Sequence, residues 1–555
     1  MRILTFEQRG STQDGRDGNS FLSRISRVSD HCGKTGITVA VGQWQFPVNG
    51  DMQTGLIANV EEEDLQMEKQ RFYMQPSVLI KILVCAAVIA AFWFAPPVAP
   101  LTEIGMRVIG VFIGVILLLS LVDTVWPAML AVVLLGQSGV CTINEAISGS
   151  IGNWIIYFVL MSFIMTHALN ESGFTDRLVA KFMSMKLVSK SPWIFTISLG
   201  VLGMLLGCFM DQVPATAFML AFVSRIYKEL GYTSKDSYPH VANILTVFGV
   251  NIGGAMTPIS HSLAILGIGI YEGATGNTLS LFSYLAFGVP TGLILFVLLC
   301  IVVRLLSHPD MSKFKDFKVE NVLKKQGPMS LREGTTAVIF FVTVIMWILP
   351  GILTMISDAA WITTFNNLGI TFWAIISVVV MAVVQINGKP LLDVKTVVNQ
   401  SINWGILLFI SIGVYLGSAM SAESTGIVAA IQQNITPLTQ SVAPIVVVFL
   451  IAAVSIIMTN FASNVSTITV MTGVGVALAM SSGGAISPVG IALVTTMCGS
   501  CAYLLPSSFA TIAMLHGHEY SSRNKIYLFG ILMIVITSIV IGFIGYPIGC
   551  ALTGG

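Results

Sequence analysis

Two apolar runs in this chain are too long to cross a bilayer once, and each is broken by polar residues at a depth where hydrocarbon would lie. Residues 191–224 contain the interruption Asp211-Gln212-Val213-Pro214, and residues 441–480 are interrupted from Thr459 to Thr467. A helical span needs about 20 residues. Irregular backbone at that depth survives only where it is buried in protein or lines a water-filled cavity. Both breaks are therefore expected to face protein or a water-filled cavity.

The rest of the chain agrees with a membrane setting. Further apolar runs lie near 77–96, 105–122, 126–136, 152–169, 241–270, 281–306, 335–356, 368–386, 403–420, 486–515 and 526–550. Of 555 residues, 10% are charged and 55% hydrophobic, and residues 1–75 alone hold 18 of the 55 charges. A soluble domain carries about 25% charged residues. The net charge of +1 offers no field for nucleic acid. The expectation is an all-α polytopic membrane protein from about residue 76, with room for roughly ten to fourteen membrane segments. It would be multi-pass in the cell membrane, a bacterial inner membrane.

Four regions follow. Residues 1–75 read as a polar, disordered extension with no signal-peptide core. Residues 76–306 and 334–555 form two membrane repeats, and 307–333 form a connector. The connector carries Lys313, Lys315, Lys318, Lys324, Lys325 and Arg332, which places it in the cytoplasm. Gly33-Lys34-Thr35 lacks the first glycine of a phosphate-binding loop, since Val28 stands there. A primary pump would thus lack its engine. Seven of the eight cysteines, all but Cys32, lie in or beside apolar segments, which is no secreted disulfide framework.

The two halves repeat in order. Asn153-Trp154 returns as Asn403-Trp404, Glu171-Ser172 as Glu423-Ser424, Gln212-Val213 as Asn464-Val465, and Pro258 as Pro506. All four pairs sit at nearly one offset. Duplicated halves with interruptions at matching places are the mark of a secondary transporter. A channel would need a filter repeat or an acidic ring. A membrane enzyme would need a nucleophile–base pair or a metal cluster, and neither is visible.

Asn460-Phe461-Ala462-Ser463-Asn464-Val465-Ser466-Thr467 packs hydroxyls and amides into a charge-free run. Such oxygens can replace the water shell of a small hard cation. The N-terminus of a following half-helix can hold an anion with unpaired N–H groups. A dianion would have to be held this way, because the apolar core has almost no basic residues.

This pattern resembles the divalent anion:sodium symporter family, within the ion transporter superfamily, over residues 77–550. Ser463-Asn464-Val465 is similar to the second Ser-Asn-Thr motif of that family. Asn153–Gly173 and Asn403–Gly426 resemble its re-entrant hairpins. Gly253-Gly254-Ala255-Met256-Thr257-Pro258 and Cys498–Pro506 resemble its unwound segments. The resemblance implies two inverted repeats, each with a re-entrant hairpin and a broken transmembrane helix. It also implies a scaffold and an elevator-type transport domain in each protomer of a homodimer, and no cofactor beyond Na+ as coupling ion. The cargo would be a di- or tricarboxylate such as succinate, malate, tartrate or citrate, taken by sodium symport or anion exchange. Asn464, Ser466, Thr467 and backbone near Pro506 would hold one carboxylate. Gln212, Thr216 and backbone near Thr257, with His261 as a further contact, would hold the other. Asp211, Ser463, Asn464 and Cys501 would hold the cation.

The first motif departs from the family. Asp211-Gln212-Val213-Pro214 stands in its place, and Ser260-His261-Ser262-Leu263 replaces a Thr-Pro-Pro-Asn run. An ionisable group deep in a membrane is a functional candidate. Asp211 could ligate a cation, carry a proton or pair with His261, and it could cap the half-helix that begins at Pro214. A proton-coupled or sulfate-type carrier using Asp211 is the alternative reading. His516-Gly-His518-Glu519 is not a metal motif, because residues two apart do not share a helix face.

Overall fold

The computed structural model describes residues 76–553, apart from positions 124, 189, 260, 261, 315–326, 358, 401, 432 and 434–441. The expected tail, the middle of the connector (315–326) and His261 lie outside the described residues. Within them the chain is helical, with one small ribbon, Gln385–Ile386 against Lys389–Pro390. Asn387 and Gly388 both take positive φ at its turn, as a two-residue hairpin loop requires.

Among the described residues, ten helices are long and apolar enough to cross a membrane, or up to eleven if the bent pair Ala360–Asn367 and Gly369–Val383 is one span. Large apolar side chains such as Leu83, Leu305, Val338 and Val383 stand exposed on them. That is how a chain looks when lipid tails are its solvent.

Each half contains a helical hairpin followed by a broken span. The first hairpin has arms Pro192–Phe209 and Gln212–Glu229; the second has arms Pro444–Phe461 and Asn464–Ser481. The spans that follow are Ser237–Met256 with Ser262–Thr275, and Pro488–Ser500 with Ala510–Gly517. The chain direction can be read from the contacts. Gly200 faces the Leu245 carbonyl, Gly203 faces Thr246 and Gly207 faces Val250, so Pro192–Phe209 and Ser237–Met256 run parallel. Gln212 meets Asn251, whereas Tyr227 meets Asn243, so the intervening arm runs back. In the second half, Ile468 meets Gly499 and Thr472 meets Thr495, which sets Asn464–Ser481 antiparallel to Pro488–Ser500.

The hairpins are not where the sequence suggested. Trp154–Glu171 and Trp404–Ser421 are unbroken helices. Asn153 accepts from Ile155 N at 3.0 Å, and Asn403 from Ile406 N at 3.1 Å. The repeated Asn-Trp pair is thus a helix start, not the mouth of a re-entrant turn. The chain reverses instead at Met210-Asp211 and Ala462-Ser463, where the backbone leaves the helical region. The two interruptions expected within broken helices are these hairpin tips. The unwound segments lie further on, at Thr257-Pro258-Ile259 and at residues 501–509.

The halves interlock. Ser262–Thr275, beyond the first break, packs on the returning arm of the second hairpin, and Ala510–Gly517 packs on the returning arm of the first. The largest hydrophobic cluster draws on both halves, from Ile155 to Ile541. A separate cluster joins Val108–Leu135 to Phe409–Ile427.

Candidate functional site

At the first tip, Asp211 is the N-cap of the returning arm, and its Oδ1 accepts from Val213 N at 3.0 Å. The expected capping role is present in the structure. The next residue, Gln212, is fully buried and donates from Nε2 to the Asn251 carbonyl at 2.9 Å. Gly254 is packed against that side chain so closely that any Cβ would collide with it. Thr257 leaves the helix with φ −133° and ψ 140°, and its hydroxyl donates to the Cys208 carbonyl at 2.8 Å. Tip and unwound segment therefore meet in the first half.

The second half is built likewise. Thr459 Oγ1 lies 2.6 Å from the Gly499 carbonyl and 2.8 Å from Asn464 Oδ1, and its one proton is shared between these two acceptors. Asn460 holds the unwound segment. Its Nδ2 donates to the carbonyls of Ile456 at 2.8 Å and Cys501 at 3.2 Å, and its Oδ1 accepts from Tyr503 N at 2.6 Å and Leu504 N at 2.9 Å. All its hydrogen-bonding capacity is used, which makes it a structural clamp. Ser463 caps Asn464–Ser481 without a side-chain hydrogen bond. The first turn of this arm thus keeps N–H groups that no Ser463 oxygen covers. Ser120 donates to the Ile116 carbonyl at 2.7 Å and is also hydrogen-bonded to Ser466. With the Ser120 proton so placed, Ser466 donates to Ser120.

The two half-sites touch. Asn251 Nδ2 donates to the Ala502 carbonyl at 2.8 Å, and the Phe248 and Tyr503 rings lie 4.9 Å apart. Around this junction are buried polar atoms without a partner: Gln212 Oε1, Thr216 Oγ1, Asn251 Oδ1, Asn464 Nδ2 and Thr467 Oγ1. Leaving such an atom unsatisfied costs about 1–3 kcal/mol. They are open to a ligand, an ion or water. Both kinds of partner are provided for: carbonyl and hydroxyl oxygens suit a hard cation, and amide and hydroxyl hydrogens suit a carboxylate.

Of the residues singled out from sequence, the structure brings Asp211, Gln212 and Thr257 to the first tip and break, with Thr216 one turn along the arm. It brings Ser463, Asn464, Ser466, Thr467 and Cys501 to the second. Pro506 is exposed in the unwound segment, and none of the bonds described above reaches it. The Cys501 carbonyl already accepts from Asn460. His516 and His518 bond elsewhere, to the Leu504 carbonyl at 2.9 Å and to Ser224 Oγ at 2.9 Å. No group of three His, Cys, Asp or Glu residues that could hold a metal occurs among the described residues. Asn251 was missed, although an amide within the run 241–270 was a visible signal.

The chain matches the citrate transporter family over residues 114–498. It is 24% identical over 424 residues to the sodium-dependent dicarboxylate transporter SdcS of Staphylococcus saprophyticus, covering 73% of this chain and 79% of the relative. It is 23% identical to an uncharacterized transporter of Haemophilus influenzae, covering 81% and 92%. The YdaH transporter of Alcanivorax borkumensis has a similar fold, with a TM-score of 0.51, 12% identity, and coverage of 72% of this chain and 86% of that one. The broken apolar runs, the paired hairpins and these matches converge: the chain belongs to the citrate transporter family and is a multi-pass membrane carrier of the divalent anion:sodium symporter type, a carboxylate transporter and not an enzyme.

Proposed function

We propose that this carrier takes up a di- or tricarboxylate by sodium-coupled symport, with the substrate held between the two hairpin tips. The observation that carries the reading is the set of buried, unpartnered polar atoms where the half-sites meet. Asn464 Nδ2, Thr467 Oγ1 and the open first turn of Asn464–Ser481 favour one carboxylate. Gln212 and Thr216 favour the far end of the molecule. Sodium is preferred as coupling ion because oxygens prevail among the unpartnered atoms, and hard cations take oxygen ligands. The sodium dependence in the name of the Staphylococcus relative supports the same choice.

Asp211 gives the two tips different character. A carboxylate already occupies the N-terminal pole of the first returning arm, whereas the second is open. The cation then belongs beside the first tip and the leading carboxylate beside the second. Paired hairpins and broken spans with crossed packing suit an elevator movement of the site across the membrane, and the resemblance to the family adds a homodimer.

Uptake of labelled succinate and citrate into proteoliposomes tests this reading, with an imposed sodium gradient, a proton gradient or internal dicarboxylate applied singly. Sodium-driven accumulation is expected. Accumulation driven only by internal dicarboxylate would make the protein an exchanger, and accumulation driven only by protons would move the coupling to Asp211.

A further inference from the structure

We infer that Asn251 is a positioning residue that couples the two half-sites, so that occupancy of one sets the geometry of the other. The inference rests on the site proposed above and adds a residue to which no sequence motif pointed. Asn251 lies in Ser237–Met256 and is fully buried. Three of its groups face three tasks. Its backbone carbonyl accepts from Gln212 Nε2 at 2.9 Å and so orients Gln212, whose Oε1 is left open. Its Nδ2 donates to the Ala502 carbonyl at 2.8 Å. Ala502 stands between the Cys501 carbonyl and the Tyr503 N–H, both gripped by Asn460. Its Oδ1 has no partner.

The backbone bond to Gln212 is fixed by the helix, so the amide senses a ligand through its open Oδ1 and acts on the unwound segment of the second half through Nδ2. A cation or water drawn to Asn251 Oδ1 fixes the χ2 of the amide, and with it the direction in which Nδ2 holds Ala502. The coupling is carried by the two ends of one amide, a physical link that both sites bias.

The experiment uses the full chain, purified, as wild type, Asn251→Ala and Asn251→Ser. Hydrogen–deuterium exchange is read at residues 210–216 and 501–509, first without ligand and then with sodium and succinate. Without ligand, both variants should exchange faster at 501–509 than wild type, since the Ala502 tether is lost. With ligand, wild type should gain protection in both segments. In the variants, protection in one segment should no longer bring protection in the other. Transport supplies a second readout. In wild type the KM for succinate should fall about fivefold or more as sodium rises, the lower end of ordinary coupling. In the variants it should change less than about twofold, whatever their kcat.

Unchanged exchange at 501–509 in both variants would overturn the inference, as would an undiminished sodium effect on KM. A wild-type KM indifferent to sodium would instead refute the symport reading, and the ligand-free exchange would still decide the role of Asn251.

Discussion

An amide N–H with nothing to bond to is costly inside a membrane protein, and Asn464 has one. Its Oδ1 is held by Thr459 and its Nδ2 is open, at 1% exposure. In the proposed site a carboxylate oxygen supplies the missing partner. Asn464→Ala should lower uptake roughly tenfold or more while expression and folding are kept, because it removes one hydrogen bond to a charged ligand. Uptake within about twofold of wild type would refute that contact. Asp211 is different, because its carboxylate already has a structural duty at Val213 N. Asparagine keeps the capping oxygen and removes the charge. Asp211→Asn should therefore shift the sodium or pH dependence of uptake more than the choice among anions. Superimposable sodium and pH profiles would reduce Asp211 to a cap.

At the scale of the element, the unwound segment 501–504 stays in shape because Asn460 satisfies two of its N–H groups and one carbonyl. Asn460→Ala leaves those groups unpaired and should cost about 2–4 kcal/mol of stability. Thermal unfolding in detergent should register it as a lower Tm, and an unchanged Tm would show that the segment needs no clamp. A second polar junction ties residues 518–521 to the base of the first hairpin. Asn243 Oδ1 accepts from Tyr227 at 2.7 Å, so Nδ2 faces His518 Nδ1 at 3.1 Å. His518 must then be neutral, with its proton on Nε2 toward Ser224. Burial pushes its pKa below the usual histidine range, against a smaller opposing pull from Glu519. A depressed folded pKa contributes stability above the unfolded value, about 6.5. That stability is lost as pH falls through the lower folded value. Wild type should lose Tm on acidification from about pH 7 to 5, and His518→Gln, which cannot take the proton, should lose less. Equal slopes would contradict the assignment.

The elements also show what a sequence can reveal. The interruptions at 211–214 and 459–467 were legible because polar residues in hydrocarbon must be accommodated somehow. Their geometry was not, because a chain that kinks and continues has the same composition as one that turns back. Only the run of facing residues, Gly200 with Leu245 and Gln212 with Asn251, distinguishes the two. Asn464 and Gln212 were found by position in the repeat. Asn251 has no counterpart in that pattern and reaches the site only through tertiary contact.

For the whole molecule, the exchange of helices between halves is the main feature. Ser262–Thr275 and Ala510–Gly517 each lie against the other half's hairpin, so neither half completes its core alone. The first 75 residues hold a third of the charge on the chain and supply no apolar run to this arrangement. Deleting residues 1–66 should leave uptake within about twofold of the full chain, a surface-like effect. Loss of transport would give the tail a role that its composition does not indicate.

The most direct test of the account is an experimental structure of the protein with sodium and whichever carboxylate the uptake assay selects. The account predicts ligand density bridging Asn464 and Thr467 on one side to Gln212 and Thr216 on the other, with no basic side chain touching it. Density confined to one tip, or held by a lysine or arginine, would contradict it.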